Sequence, residues 1–84
     1  MAWLRIEFFV EPFREGDPGP HVTAAQQAVV QRGHALDIGP FGSSYVAEAT
    51  EALDTLRMVS TAAVDNGATR LAVQIDTVAG EGGG

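Results

Sequence analysis

The chain has 84 residues, a net charge of −6, a pI near 4.5 and no cysteine. This length supports one hydrophobic core, and the lack of cysteine excludes disulfide scaffolds, thiolate metal sites and cysteine nucleophiles. With five basic residues against eleven acidic ones, its field opposes binding to nucleic acid or anionic membranes and favours cationic ligands. We therefore expect one small domain from a reducing compartment, the cytoplasm.

Residues 3–11 alternate between apolar and mixed positions, which predicts a strand covered by helices on one side. The predicted inner face holds Leu4, Ile6, Phe8 and Val10, and the outer face holds Trp3, Arg5, Glu7, Phe9 and Glu11. Pro12 lacks an amide donor and ends the strand. The early acid in this segment argues against a signal peptide.

A helical period follows the turn-rich segment 12–20 and predicts a helix over about 20–32, with Gly33 as its C-cap. Its inward residues are predicted to be Val22, Ala25, Ala28 or Val29, and Arg32, with Thr23, Gln26, Gln27 and Gln31 turned outward. Residues 35–39 then predict a short strand with Leu36 and Ile38 inward. A turn at 40–42 joins it to another strand over 43–48. The pattern leaves open whether Ser44 and Val46 or Tyr45 and Ala47 face inward.

A second helix is predicted from about Glu51 to Asn66, capped by Thr50. Its buried stripe is expected to comprise Leu53, Leu56, Val59 or Ser60, and Ala63. Residues 69–77 alternate again and predict the last strand, with Leu71, Val73 and Ile75 on one face. Residues 1–78 should therefore form a single domain, and the glycine-rich tail 79–84 should be flexible.

The order β-α-β-β-α-β predicts a ferredoxin-like α+β sandwich, a four-stranded antiparallel sheet with two helices on one face. The other sheet face then lacks a cover within one molecule. Mixed apolar and charged groups on that face suggest a self-association surface with a ligand pocket. A solvated sheet with scattered apolar side chains is the alternative.

The sequence carries no recognisable catalytic motif, and we expect no enzymatic activity and no cofactor. His21 and His34 lie at opposite ends of one predicted helix, too far apart to share a metal, and are expected to be surface residues. Ser43 and Ser44 suit either hydrogen bonding to a ligand or stabilisation of the turn.

Acidic side chains on the open face form the clearest candidate binding group. Glu7 lies on the first strand and Gln74 and Asp76 on the fourth, and these strands are neighbours in the predicted sheet. A carboxylate covered by a partner requires compensation. Either an arginine (Arg5 or Arg70) or a bound cation or protonated heterocycle would provide it.

Several segments together resemble the YkoF-like thiamine-binding protein family, over nearly the whole chain. They are the strand at 6–12, the start of the first helix, the segment 37–43 and the helix with Leu53. The resemblance implies a small ferredoxin-like domain that assembles as an oligomer. It also implies binding of thiamine or its hydroxymethylpyrimidine part without catalysis.

The family's glycine–threonine step before the third strand falls on Gly42-Ser43, which keeps the hydroxyl. Where relatives often have an acid and a small residue, this chain has Val46 and Ala47, and the nearest acid is Glu48. Phe9, Phe41 and Tyr45 suit stacking on a pyrimidine or a cation, or simple packing. The predicted ligand-binding set is Glu7, Phe9, Phe41, Ser43, Ser44, Glu48, Gln74 and Asp76.

Two functions follow from this reading. The first is non-catalytic binding of thiamine or its hydroxymethylpyrimidine part by a carrier or sensor, acting as a homodimer or homotetramer through the open sheet face. The second is a structural or regulatory module that binds protein alone. An acid-dependent enzyme is the weakest hypothesis, because neither Glu7 nor Asp76 has a second group to shape its pKa.

Overall fold

The computed structural model describes residues 2–14, 16–40 and 42–78. Phe41 and the predicted tail 79–84 lie outside the described residues. Within these ranges the elements follow the predicted order. They are β1 (Trp3–Glu11), α1 (Gly19–Gln31), β2 (Asp37–Gly39), β3 (Gly42–Glu48), α2 (Ala49–Asp65) and β4 (Arg70–Val78). No helix in this part of the chain is long and apolar enough to cross a membrane.

The strands form one antiparallel sheet in the order β2-β3-β1-β4. The central strand β1 pairs with β4 along its whole length, from Trp3 opposite Val78 to Glu11 opposite Arg70. The helix α1 packs on β1, and α2 packs on β1 and β3. This arrangement confirms the predicted ferredoxin-like α+β fold.

The register of β3 against β1 settles which face of β3 points inward. Tyr45 lies directly opposite the buried Ile6, and directly opposed residues share a face of the sheet. Tyr45 and Ala47 therefore point towards the helices, whereas Ser44 and Val46 point to the uncovered side. The buried apolar side chains of the sheet are Ile6, Phe8, Val10, Tyr45 and Ala47.

The first helix begins one residue before the predicted position and ends at Gln31. Its buried residues are Val22, Ala25, Ala28 and Val29. Gly33 ends the segment with a φ of +88°, a conformation that favours glycine. The outward orientation predicted for Gln26 is wrong, because its side chain is half-buried and reaches a serine of β3.

The second helix has a different cap and a different buried stripe from those predicted. The Glu48 carboxylate, not Thr50, caps it by accepting the backbone N–H groups of Thr50 and Glu51 at 3.1 and 3.4 Å. Leu53 is 48% exposed, so its predicted burial is wrong. The buried residues are Ala52, Thr55, Val59 and Ala63. The stripe includes the small residues Ala52 and Ala63, and the Ala52 carbonyl accepts the hydroxyl of Tyr45 in β3 at 2.9 Å.

Both edge strands extend beyond the cover that the helices provide. Ile38 was predicted to point inward, but it is 63% exposed, because β2 is only three residues long and lies at the edge of the sheet. Val73 and Ile75 lie opposite buried residues of β1 and still remain 40% and 47% exposed. The core is therefore concentrated under β1 and β3.

Candidate functional site

A small cavity lies where the β2–β3 hairpin, the end of β1 and the helix α1 meet. Its volume is about 70 Å³. We call it the hairpin cavity, and its lining residues are Phe8, Phe9, Val10, Phe13, Val22, Gln26, Ile38, Gly39, Pro40, Gly42 and Ser43. None of these described lining residues is charged, although the protein carries a net charge of −6. The cavity therefore suits a neutral, largely apolar group.

Gln26 and Ser43 supply the polar side chains among these lining residues. The Gln26 Nε2 atom donates a hydrogen bond to Ser43 Oγ at 3.2 Å. Ser43 is only 5% exposed and lies opposite Phe8 in the β1–β3 register, which turns its hydroxyl towards α1. A hydroxyl and a carboxamide thus lie side by side in an apolar setting, where hydrogen bonds to a ligand carry the most weight.

Aromatic rings form the wall of the hairpin cavity next to the end of β1. The Phe9 and Phe13 rings are tilted by 50° with centroids 5.6 Å apart. Phe13 is 47% exposed, so one edge of the wall is open to solvent. Such rings present flat apolar surface to a planar ligand.

The open sheet face brings together four of the predicted site residues: Glu7, Ser44, Gln74 and Asp76. Arg5 lies among them, with Nη1 3.6 Å from Glu7 Oε1 and Nη2 donating to Ser44 Oγ at 3.3 Å. The Gln74 amide donates to Asp76 Oδ2 at 3.0 Å. The arginine alternative for compensating Glu7 is therefore present. At this exposure the pair adds little to stability.

A shallow cleft on the same face is lined by Glu7, Phe8, Phe9, Ala72, Val73 and Gln74 and has a volume of about 240 Å³. Phe9 lines both this cleft and the hairpin cavity. The predicted site residues therefore divide between two neighbouring places. Ser43 belongs to the hairpin cavity, and Glu7 and Gln74 belong to the open cleft.

Of the two remaining predicted residues, the described one, Glu48, joins neither place. The Glu48 carboxylate is engaged at the start of α2 by two backbone N–H groups. Phe41 lies outside the described residues. Glu48 therefore makes a structural contact. Its contact with a ligand stays a prediction.

A second polar cluster connects the end of α1 to α2, away from the cavity. His34 stacks on Tyr45 with centroids 5.5 Å apart and has Nε2 2.9 Å from Thr55 Oγ1. Arg32 donates to the same Thr55 oxygen and to the Glu51 carboxylate. His34 is thus a half-buried packing residue, not the surface histidine that was predicted.

Tyr45 is held at the base of this cluster and is 2% exposed. Its hydroxyl donates to the Ala52 carbonyl at 2.9 Å. Burial raises the pKa of Tyr45 to about 12, while the nearby Arg32 acts in the opposite direction. The tyrosine is therefore a neutral core residue that links β3 to α2.

The other histidine, His21, lies in the first turn of α1. A ring nitrogen of His21 contacts the Pro12 carbonyl oxygen. The described residues contain no group of three or more histidine, cysteine, aspartate or glutamate side chains suited to a metal ion.

Gln26 is the polar lining residue that sequence reasoning missed. It lies four residues after Val22 and three before Val29, both buried, so helical spacing alone places it on the inner face. It was predicted to face outward because its side chain is polar. Phe13 was predicted only to lie in a loop, and no sequence pattern identifies it as a residue of the cavity.

No family model and no curated protein matches the chain. Several solved structures do match it. The domain of unknown function DUF77 from Bacillus cereus is 25% identical with a TM-score of 0.68, covering 92% of this chain and 76% of that one. A Thermotoga maritima protein, provisionally described as a thiamine biosynthesis or salvage protein, is 20% identical with a TM-score of 0.65, covering 89% and 81%. A Streptococcus pneumoniae protein is 18% identical with a TM-score of 0.71, covering 96% and 89%.

Proposed function

We propose that this protein binds the pyrimidine ring of thiamine, or free hydroxymethylpyrimidine, in the hairpin cavity and leaves it chemically unchanged, as a carrier or sensor. The observation that carries this proposal is an uncharged, ring-lined cavity with one hydroxyl and one carboxamide side by side. Such a combination of apolar walls and few polar groups is typical of small-molecule sites.

The size and charge of the cavity determine which part of thiamine it accepts. A volume of about 70 Å³ is far below the roughly 300–1,000 Å³ of sites that enclose drug-sized ligands. It suits a single ring. The cationic thiazolium ring would lose hydration there without a counter-charge, so it stays outside, where the net charge of −6 attracts it.

Membership of the YkoF-like thiamine-binding family is part of the same proposal. Its support is the resemblance of the segments around Ile6 and Gly42-Ser43, together with the shared fold. The thiamine-related description of the Thermotoga maritima neighbour points to the same ligand class.

The polar contacts of the cavity favour binding over catalysis. Ser43 Oγ accepts its hydrogen bond from the Gln26 amide, and an amide is not a base that activates a nucleophile. The two histidines are engaged elsewhere, His34 with Thr55 and His21 with Pro12. The proposed role is therefore capture and release of the ligand.

We further propose that a second copy of the chain covers the open sheet face. Val46 is 39% exposed there, and Trp3 and Phe9 are half-buried. The face also carries both signs of charge, in Arg5 and Glu7, so two copies related by a two-fold axis would be complementary.

Titration calorimetry tests the binding proposal. Hydroxymethylpyrimidine and thiamine should each give saturable heat, whereas the isolated thiazolium ring should give none. Ser43→Ala should weaken binding about five- to tenfold, because it removes the Ser43 hydroxyl and with it one hydrogen bond of the cavity. Ser60→Ala serves as the control, since that hydroxyl bonds to the Leu56 carbonyl within α2.

Two results would contradict the proposal. Absence of heat with both pyrimidine ligands would remove the function. Binding that weakens with Glu7→Ala but not with Ser43→Ala would move the site from the hairpin cavity to the open cleft.

The alternative function is a structural or regulatory module that binds protein alone. It is favoured by one observation, the exposed apolar residues of the edge strand β4, including Val73 and Ile75. Long, apolar sheet edges are common places for association. A stable oligomer that gives no heat with either pyrimidine ligand would support this alternative.

A further inference from the structure

We infer that Gln26 determines which heterocycle the hairpin cavity accepts, by reading an amino group adjacent to a ring nitrogen. Ser43 acts as the positioning residue that fixes the Gln26 carboxamide. This inference rests on the proposed function and names the chemical group by which that site selects its ligand.

The position of Gln26 directs its side chain to the cavity. It lies on the face of α1 that also buries Val22 and Val29, and it is half-buried itself. Its contact with Ser43 crosses from the helix to the sheet. The carboxamide is thus held at the boundary between the apolar walls and the hairpin.

The Gln26 carboxamide has hydrogen-bonding groups that Ser43 does not use. A glutamine amide carries two N–H donors and one carbonyl acceptor. One donor is used by Ser43 Oγ at 3.2 Å. We assign to Ser43 the N–H that points away from Oε1. The other N–H and the Oε1 atom then lie side by side in the plane of the amide and present one donor beside one acceptor.

An aminopyrimidine edge is complementary to that pair. Its exocyclic amino group donates to Gln26 Oε1, and its neighbouring ring nitrogen accepts from the remaining N–H. The same amide geometry reads adenine in protein–DNA complexes. In an apolar cavity, a ligand that lacks the amino group leaves Oε1 without a partner, which costs affinity.

The charge of the cavity adds a second filter. The described lining residues contain no carboxylate that would compensate a cation. A neutral aminopyrimidine therefore enters, and a permanently charged ring does not. Ring size, neutrality and the amino–nitrogen edge together define the accepted ligand.

The test compares two ligands by titration calorimetry: hydroxymethylpyrimidine and the analogue in which hydrogen replaces its amino group. We expect the wild-type protein to bind the amino form about tenfold more tightly. Gln26→Met keeps the length of the side chain but removes its hydrogen-bonding edge, and should bring this ratio close to one. Gln27→Met is the matched control, because that neighbouring side chain is exposed and lines the outer groove between the helices.

Ser43→Ala supplies a second variant in case Gln26→Met does not fold. Without its hydroxyl the carboxamide is free to rotate, so the ratio should fall partway while binding persists. Thermal unfolding without ligand checks that each variant retains the fold.

The outcomes separate this inference from the proposed function. Equal binding of both ligands by the wild-type protein, or an unchanged ratio in Gln26→Met, would overturn the role of Gln26 and leave the binding function in place. Failure of the wild-type protein to bind either ligand would overturn the proposed function itself.

Discussion

Gly42 lies where the β2–β3 hairpin passes close to β1. A β-carbon built at this position would come within 2.8 Å of the Phe8 carbonyl oxygen, which belongs to backbone and cannot rotate away. The close approach places Ser43 opposite Phe8 and directs its hydroxyl towards α1. The glycine therefore helps to shape the hairpin cavity.

We expect Gly42→Ala to lower the free energy of unfolding by about 1–3 kcal/mol, because the sheet must shift to admit the methyl group. Gly39→Ala, in the same hairpin, is the control, since its β-carbon would meet the Gly42 carbonyl oxygen at an ordinary 3.5 Å. Denaturant unfolding measures both. Equal losses in the two variants would contradict the close approach.

Tyr45 makes the free energy of unfolding depend on pH in the alkaline range. Its folded-state pKa of about 12 lies above the ordinary value of 10, so its contribution is complete below pH 10 and is lost as pH rises from 10 to about 12. The loss is at most about 3 kcal/mol. Denaturant unfolding from pH 8 to 11.5 should show this decline in the wild-type protein.

Tyr45→Phe is the matched variant for that experiment. It should cost about 1 kcal/mol near neutral pH, because the hydrogen bond to the Ala52 carbonyl is lost. It should also decline less steeply above pH 10. Because the chain has a single tyrosine, identical alkaline profiles for the two proteins would contradict the account.

At the scale of elements, alternation and helical period predicted every strand and helix but not every orientation. The strand β1 was predicted over its observed bounds, because one face is wholly apolar. The stripe of α2 was predicted on Leu53, since apolarity favours leucine over alanine. The structure instead buries Ala52, whose carbonyl receives the Tyr45 hydroxyl. A close helix–sheet contact is a tertiary constraint that the pattern of one helix does not contain.

The start of α2 provides a test at this scale. We expect Glu48→Ala to cost about 1 kcal/mol of unfolding free energy, because the first N–H groups of the helix lose their acceptor. Glu48→Gln keeps an acceptor oxygen without the charge and should cost less. Thermal unfolding compares them, and a Glu48→Ala protein as stable as the wild type would exclude the cap as a stabilising contact.

At the scale of the whole molecule, the helices cover one side of the sheet and leave the other open. The sequence predicted this asymmetry from the order of elements. It did not predict that Ile38, Val73 and Ile75 remain exposed at the two edges. Their exposure depends on how far the helices reach across the sheet, which follows from packing and not from alternation.

The open sheet face leads us to expect that the protein assembles. We expect a stable homo-oligomer at micromolar concentration. Val46→Glu should weaken it, because it places a second carboxylate beside the Arg5–Glu7 pair in the interface. Val64→Glu is the control, because that residue is 63% exposed on α2. Sedimentation measures both variants. A monomeric wild-type protein would contradict the proposed assembly.

The location of the ligand is tested most directly by amide chemical-shift mapping during titration with hydroxymethylpyrimidine. We expect the largest shifts around the hairpin cavity, at the backbone amides of residues 8–10, 22–26, 39 and 42–43, and at the Gln26 side-chain amide. Small shifts are expected along β4. Large shifts confined to β4 and the outer face of β1, or no shifts at all, would contradict a pyrimidine site in the hairpin cavity.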